Sequence, residues 1–169
     1  SLVPTDPKSK DKIVKALHKC QATIGKSAAG FLAARSKALG KCWATVNKAG
    51  AGSCPDGAAS AVIAKAESKR VAGVRKACQG EDKTFGTADD FTPVDIGFPA
   101  LCPDVTTPGG TACGNTVSSL QDLIACVGCL TEFNVDCADR AAVPAFVSPY
   151  PDACEAGTPA TPTFSPTPA

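Results

Sequence analysis

The ten cysteines constrain this chain more than any other feature of its sequence. Their even number and their density favour five disulfides formed in an oxidising compartment. Zinc binding does not account for them, because their spacings form no zinc-binding set and His18 is the only histidine. Since aromatic residues make up only 5% of the chain, we expect disulfides to supply stability that core packing does not.

An eleven-residue repeat predicts the first helix. Residues 13–45 read as three copies, IVKALHKCQAT, IGKSAAGFLAA and RSKALGKCWAT. Eleven residues make three turns at about 3.67 residues per turn, so the repeat keeps one stripe on one helix face. The stripe consists of Leu17, Cys20, Ala28, Phe31, Leu39 and Cys42. Lysines recur beside it near the rim, where we expect them to remain available for contact with a partner; they are Lys15, Lys26, Lys37 and Lys48.

The repeat predicts one long helix over about residues 8–48. Asp6 is a suitable N-cap for it, and Pro7 suits the first helical position. Glycine is a poor helix former, so the glycines of the repeat are expected to weaken the helix, to bend it or to admit a second helix closely. These glycines are Gly25, Gly30 and Gly40.

The cysteine spacing predicts how this helix pairs with the next one. Residues 58–78 have a helical composition and precede Gly80, which favours a second helix closed by that glycine. Cys20 and Cys42 lie about 33 Å apart along one helix and cannot bridge each other. Two other pairs share one turning point near residue 48. The sequence therefore predicts an antiparallel hairpin with two disulfides, Cys20–Cys78 and Cys42–Cys54.

The second half is predicted to be loop-rich, with one further helical region. Residues 79–116 form the loop, in which the apolar segment 96–99 is expected to pack on the hairpin. A capping box of Ser118 and Gln121 starts the helical region, which is expected to break between residues 128 and 134 and to end before Pro144. Cys137–Cys154 is the favoured bridge here. Three connectivities remain open for Cys102, Cys113, Cys126 and Cys129.

Charge divides the chain into a basic and an acidic part. Residues 1–80 hold fifteen basic and four acidic side chains, for +11, and the remainder holds two and twelve, for −10. One interpretation is that the two parts pack together and neutralise each other within a molecule. Another is that the basic part of one molecule meets the acidic part of the next, a heterologous contact that grows a filament when it does not close into a ring.

Three regions follow from these patterns. Residues 1–80 form the basic hairpin, residues 81–157 the acidic disulfide-rich region packed on it, and residues 158–169 a Thr/Pro-rich tail. The tail composition is typical of a stiff linker or an O-glycosylated stalk. Its candidate glycosylation sites are Thr158, Thr161, Thr163, Ser165 and Thr167.

Few residues suggest chemistry. Carboxylates around the FGTADD segment form a candidate calcium site that lacks EF-hand spacing. The alternative is that these aspartates cap their own turns. The Cys126–Cys129 CxxC pair lies in mid-helix without a preceding strand, which favours structural cystines over a redox site. No nucleophile motif accompanies the single histidine, so we expect no enzyme. The calcium candidates are Asp82, Asp89, Asp90 and Asp95.

The chain resembles a type of secreted, cysteine-rich helical protein. The resemblance rests on CQATIGKSAAGFLAARSKALGKC, AKAESKRVAGVRKAC, IGFPALCPDV and DLIACVGCLTEFNVDCADRAAVP, and covers most of residues 13–154. Such proteins belong to deltaproteobacteria-like environmental bacteria, often end in Thr/Pro-rich tails and are uncharacterised. The resemblance implies an exported, disulfide-bonded helical protein and no catalytic residue. Phe85 stands where a further cysteine-rich acidic loop is expected, which argues against a metal role.

Together these features predict an all-α fold, namely a long disulfide-stapled hairpin with a third helical segment and a loop-rich second half. A first residue other than Met, and the segment SLVPTDP, suggest a mature exported chain. The leading functional hypothesis is an exported structural protein of the extracellular space or cell surface that assembles with itself. It would be a filament or surface-layer subunit joined by basic-to-acidic contacts. The alternative is a soluble extracellular module that binds an acidic polysaccharide, a metal ion or a small apolar ligand. Nucleic-acid binding and a membrane span are not expected, and the only cofactor considered is calcium.

Overall fold

The computed structural model describes residues 11–156 of the chain, and within them the regular structure is helical, without strands. The predicted all-α class is confirmed. Two long packed helices form the hairpin, and a third long helix lies against it. The helices are α1 (Lys12–Ala49), α2 (Gly57–Cys78), α3 (Pro93–Ile96), α4 (Leu120–Ala142) and α5 (Asp152–Ala156).

Helix α1 starts four residues later than the repeat predicts. Asp11 caps it, because its carboxylate accepts hydrogen bonds from the backbone N–H groups of Ile13 and Val14. Asp6 and Pro7, the predicted start, lie outside the described residues. The prediction that the glycines of the repeat admit a second helix closely is wrong. The helix is continuous, and an added Cβ would meet nothing within 4 Å at Gly25, Gly30 and Gly40.

The hairpin turn is built from a glycine and an aspartate. Gly50 ends α1 in the left-handed conformation at φ 76°, where its N–H donates to the Val46 carbonyl. The Asp56 carboxylate caps α2 by accepting from Ala59. At the other end of α2, Gln79 is the C-cap in an extended conformation. Gly80 follows this cap at the predicted C′ position, but it is not among the residues with positive φ.

Two disulfides join the hairpin at opposite ends. Cys20 bonds to Cys78 and Cys42 bonds to Cys54, which are the pairs assigned from the spacing. All but one of the stripe positions are buried, and the remaining one is half-buried, so the apolar side of the eleven-residue repeat is the hairpin core. The half-buried position is Ala28.

Helix α4 runs parallel to α1 and antiparallel to α2. Residues further along α4 meet residues further along α1, since Arg35 pairs with Asp136 and Trp43 with Asp139. The predicted capping box is displaced by one residue: Ser119 and Asp122 form it, rather than Ser118 and Gln121. The predicted break between residues 128 and 134 is also wrong, because α4 continues to Ala142 before Pro144.

Disulfides hold the long loop before α4 against that helix. Cys102 bonds to Cys126 and Cys113 to Cys129, which settles the connectivity left open by the sequence. The loop also contains α3, a single turn capped by Thr92 that the sequence did not predict. Ile96, at the end of this turn, packs against the hairpin core, and its carbonyl accepts a hydrogen bond from Gln21 on α1.

A last disulfide closes the described part of the chain. Cys137 on α4 bonds to Cys154 on α5, a short helix that was not predicted. Tyr150 donates a hydrogen bond from its hydroxyl to the Cys137 carbonyl, and both cysteines pack with Phe133 in a small core. The candidate glycosylation sites of the tail lie outside the described residues.

Candidate functional site

The lysines of α1 form one exposed ridge. We call the seven of them the lysine ridge, and α1 contains no acidic residue between Lys12 and Ala49. At about 100° per residue, all seven fall within a sector of about 80° and extend over about 54 Å of the helix. All seven are exposed. The ridge consists of Lys12, Lys15, Lys19, Lys26, Lys37, Lys41 and Lys48.

The ridge contains the four lysines predicted from the repeat, and three more join them. Its centre lies about 160° around α1 from the centre of the buried residues, so it faces away from α2 and α4. Within the described residues, Lys12 is the member with an ion pair, a 3.0 Å contact with Glu81 between two highly exposed side chains. The residues between the lysines on this face are alanine, glycine and threonine, so only small side chains lie between the charged groups.

The aspartates proposed for calcium serve other purposes. Asp82 accepts from Thr84, Asp90 accepts from Gly80 and Gly86, and Asp95 caps α3. Asp89 accepts from the Thr87 hydroxyl and the Asp82 N–H, and these hydrogen bonds lower the pKa of its carboxyl group. Within residues 11–156 no group of three or more histidine, cysteine or acidic side chains could hold a metal ion. The calcium prediction therefore gains no support, because these carboxylates cap turns.

The two cysteines of the CxxC pair are not bonded to each other. Cys126 and Cys129 each hold a different cysteine of the preceding loop, and all ten cysteines are in disulfides. A CxxC redox site requires these two sulfurs to form and break a shared bond. The pair instead fastens 28 residues of loop and helix together at two neighbouring points, which is a structural role.

A groove lies between α2 and α4, which diverge as both pack on α1. Its volume is about 440 Å³, within the range of small-ligand sites. Phe31 and Arg35 of α1 form its floor. The α2 wall carries Ile63, Ala64 and Glu67, and the α4 wall carries Ala125, Gly128 and Glu132. Small side chains on both walls keep the groove open, and a carboxylate stands on each wall.

The floor of the groove is tied to α4 by a buried ion pair. Arg35 donates from Nε and Nη2 to the two carboxylate oxygens of Asp136, each at 2.7 Å, and from Nη2 to Glu132 at 3.2 Å. Burial by itself would lower the pKa of Arg35, but the hydrogen bond and charge of Asp136 outweigh it and raise the pKa. Two parallel charge-assisted bonds also fix the rotation of α4 against α1.

Glu132 is held less firmly than its neighbours. Burial raises the pKa of its carboxyl group, although the charge of Arg35 opposes this, and the charges of Asp136 and Glu67 raise it further. The influence of Glu67 reflects two carboxylates that face one groove from opposite walls. Glu132 takes a single hydrogen bond from Arg35, on Oε1, whereas Asp136 takes two. Glu132 also lines the groove, and among the described residues its Oε2 accepts no hydrogen bond.

A second arginine lies behind the groove. Arg70 is 3% exposed and donates from Nε and Nη2 to Glu67, and from Nη2 to the Ile124 carbonyl. Its guanidinium also lies 5.8 Å from the centre of the Phe31 ring. Gly128 permits this arrangement, since a Cβ there would collide with the guanidinium. Glu67 and Arg70 lie three residues apart, a spacing typical of ion pairs on the exposed face of a helix. Here the pair faces α4 instead.

Sequence reasoning missed the burial of both arginines and their contacts with α4. A signal for them exists, because Arg35 is the single arginine of α1 and lies four residues from Phe31 and from Leu39 on the buried stripe. Arg70 likewise lies between Ile63 and Val74 on the buried side of α2. An arginine at a core position indicates a buried acidic partner, since a buried charge is costly without one.

The charged halves of the chain meet within the molecule at these sites. The ion pairs of Arg35 with Asp136 and Glu132, and of Lys12 with Glu81, all join the basic part to the acidic part. Within the described residues the other six ridge lysines take no part in these ion pairs. Ion pairs within the molecule thus neutralise some of the charge of the basic and acidic parts. They leave most of the lysine ridge unpaired among the described residues.

No protein-family model, curated protein or solved structure matches this chain. Within residues 11–156, no helix combines the length and the apolar character that crossing a membrane requires.

Proposed function

We propose that this protein is an exported structural protein that assembles with itself through contacts between basic and acidic surfaces. The observation that carries the proposal is the lysine ridge, a face of about 54 Å without an acidic residue on the same helix. A single-sign surface of this length repels its own copies and attracts a complementary one. A structural role agrees with a long hairpin that two disulfides join at opposite ends.

An acidic counterpart is present in the same chain. The region from residue 81 onward has twelve acidic and two basic side chains, and those in its first loop are mostly exposed. A contact from the ridge of one copy to the acidic surface of another is heterologous, so it continues from copy to copy unless it closes into a ring. This supports a filament or another extended assembly over a two-fold dimer.

The covalent structure supports the proposed compartment. Five disulfides and the absence of a free cysteine are compatible with an oxidising compartment. Export to the cell surface or the extracellular space is part of the proposal, and bacterial origin and a glycosylated tail belong to it as expectations of the resemblance and of the tail composition.

Sedimentation velocity and electron microscopy of the purified, oxidised chain test the proposal. We expect polymers at low ionic strength that dissociate as salt is added, because the attraction acts between exposed charges and is screened. A chain that remains monomeric at both ionic strengths and at high protein concentration contradicts self-assembly. Assembly that is insensitive to salt contradicts the basic-to-acidic contact.

Binding of an acidic polysaccharide is the second candidate, because the same lysine ridge fits a linear polyanion. The two candidates differ in what must be added. Self-assembly requires the protein alone, whereas the second predicts a monomer that binds uronic-acid or sulfated polymers with a salt-dependent affinity. Heparin and polygalacturonate, compared with neutral dextran in titration calorimetry, separate these outcomes.

A further inference from the structure

We infer that the groove between α2 and α4 receives Lys26 from the lysine ridge of a second copy, with the ammonium group beside Glu132 and the apolar stem on Phe31. The inference rests on the proposed self-assembly and names the residues that make its contact. Lysine suits a site of this kind because its four-carbon stem packs on apolar surface while its ammonium group binds a carboxylate.

The groove has the charge to receive one cation. Arg35 and Arg70 supply two positive charges, and Glu67, Glu132 and Asp136 supply three negative ones. Both arginines are committed to bidentate pairs, with Asp136 and with Glu67 respectively. The negative charge in excess resides on Glu132, whose carboxylate is half-buried on the groove wall. A single ammonium group neutralises it and uses its free accepting capacity.

Lys26 is the ridge residue best placed to enter. Its neighbours on the helix surface, three and four residues away, are Ala22, Thr23, Ala29 and Gly30, all of them small. An added Cβ at Gly30 would meet nothing within 4 Å, which shows how open this part of the helix is. A second helix surface can therefore approach closely around the Lys26 side chain.

The other ridge lysines lack this setting. Lys37 and Lys41 lie four residues apart, so both would approach a groove with one charge in excess. Lys15 has Lys12 and Lys19 as its neighbours in the same way. Lys48 lies in the last turn of α1, next to the Gly50 cap. Among the ridge lysines away from the helix ends, Lys26 alone combines an isolated charge with small residues on every side.

The positions of Lys26 and the groove predict an open-ended assembly. The groove floor, Phe31 and Arg35, belongs to the buried side of α1, while Lys26 lies on the opposite side about one or two turns away along the axis. The groove opens away from α1, between α2 and α4. A copy that inserts Lys26 into its neighbour thus keeps its own groove exposed on its far side, so each contact leaves a site for the next.

Matched substitutions in the full chain test this contact by sedimentation velocity at low salt. Lys26→Gln and Glu132→Gln remove the two charges of the contact, and we expect each to weaken association at least about tenfold. Lys48→Gln, on the same ridge, and Glu81→Gln, on the acidic surface, make the same changes in net charge elsewhere and are expected to have effects of about twofold or less. Circular dichroism and thermal melting verify that each variant is folded.

A substitution without a charge change gives independent information. Ala125 is exposed on the groove wall, and Ala125→Leu fills the groove with a good helix former while every ionised group remains. We expect it to reduce association as Lys26→Gln does. Association at the wild-type level in folded Ala125→Leu overturns the groove as the receiving site.

Mixing the two defective variants is the sharpest test. Lys26→Gln retains an intact groove and Glu132→Gln retains an intact Lys26, so the mixture can form one contact and no more. We expect heterodimers that do not grow, and polymers or an absence of dimers overturn the proposal. If wild type polymerises and Lys26→Gln behaves like Lys48→Gln, the specific contact is wrong while self-assembly stands. A wild type that remains monomeric overturns both.

Discussion

Removing the acidic partner of Arg35 is expected to destabilise the fold more than any loss of a surface charge. Asp136→Ala leaves a buried guanidinium without its two 2.7 Å bonds, where the two side chains are 10% and 12% exposed. Losing one partner of a buried pair typically costs about 3–5 kcal/mol. Glu132 still reaches Arg35 at 3.2 Å, so we expect the lower end, about 3 kcal/mol. This is a large fraction of the 5–15 kcal/mol typical of a domain.

Urea unfolding followed by far-ultraviolet circular dichroism, with all disulfides intact, measures this loss. Glu81→Gln is the matched control, since it breaks the Lys12–Glu81 pair, whose side chains are 88% and 81% exposed, and we expect at most about 1 kcal/mol. The double variant Arg35→Met/Asp136→Leu replaces both charges by apolar groups and should recover most of the loss. A cost for Asp136→Ala no larger than that of the control, or a double variant no more stable than Asp136→Ala, would refute the reasoning.

Two further measurements follow from the same region. Gly128→Ala should lower the free energy of unfolding by about 1–3 kcal/mol, and with it the melting temperature, because the added Cβ collides with Arg70. Gly30→Ala, on the open side of α1, should raise the free energy of unfolding by up to about 1 kcal/mol. Burial raises the pKa of Glu132 and Asp139, so their ionisation opposes folding, and stability should increase as the pH falls through these pKa values. It should decrease again at lower pH, where capping carboxylates with lowered pKa values become protonated. Urea midpoints across pH 3–8 that fall steadily toward acid contradict this.

The hairpin was predictable because its determinants are local or covalent. A repeat of 3.67 residues per turn specifies both a helix and its buried face, and the spacing of Cys20, Cys42, Cys54 and Cys78 allows one consistent folding of that helix onto the next. The position of the cap at Asp11 was missed because several polar residues precede the repeat and compete for that place.

The groove was not predictable, because its parts come from three helices far apart in sequence. Arg35 and Asp136 are separated by 101 residues, and no pattern in either segment names the other. Gly128 illustrates the difficulty, since it suggested a break in α4 but in fact allows Arg70 to pass close to an unbroken helix. The four aspartates left two interpretations open, because a sequence does not show whether a carboxylate caps its own turn or faces a cation.

The eleven-residue repeat links the interaction surface to the fold. Because 3.67 residues per turn nearly matches the natural helix period, the lysine ridge and the buried stripe both keep their direction over the length of α1. A single residue inserted at the exposed Gly30 would rotate everything after it by about 100°. Lys37, Lys41 and Lys48 would then leave the line of the earlier lysines. The same rotation would carry α2 with the second part of α1, so that Cys78 would no longer face Cys20. The ridge can therefore change by substitution, whereas a shift in its spacing would also break the hairpin disulfide, so the regular lysine spacing is maintained by the fold itself.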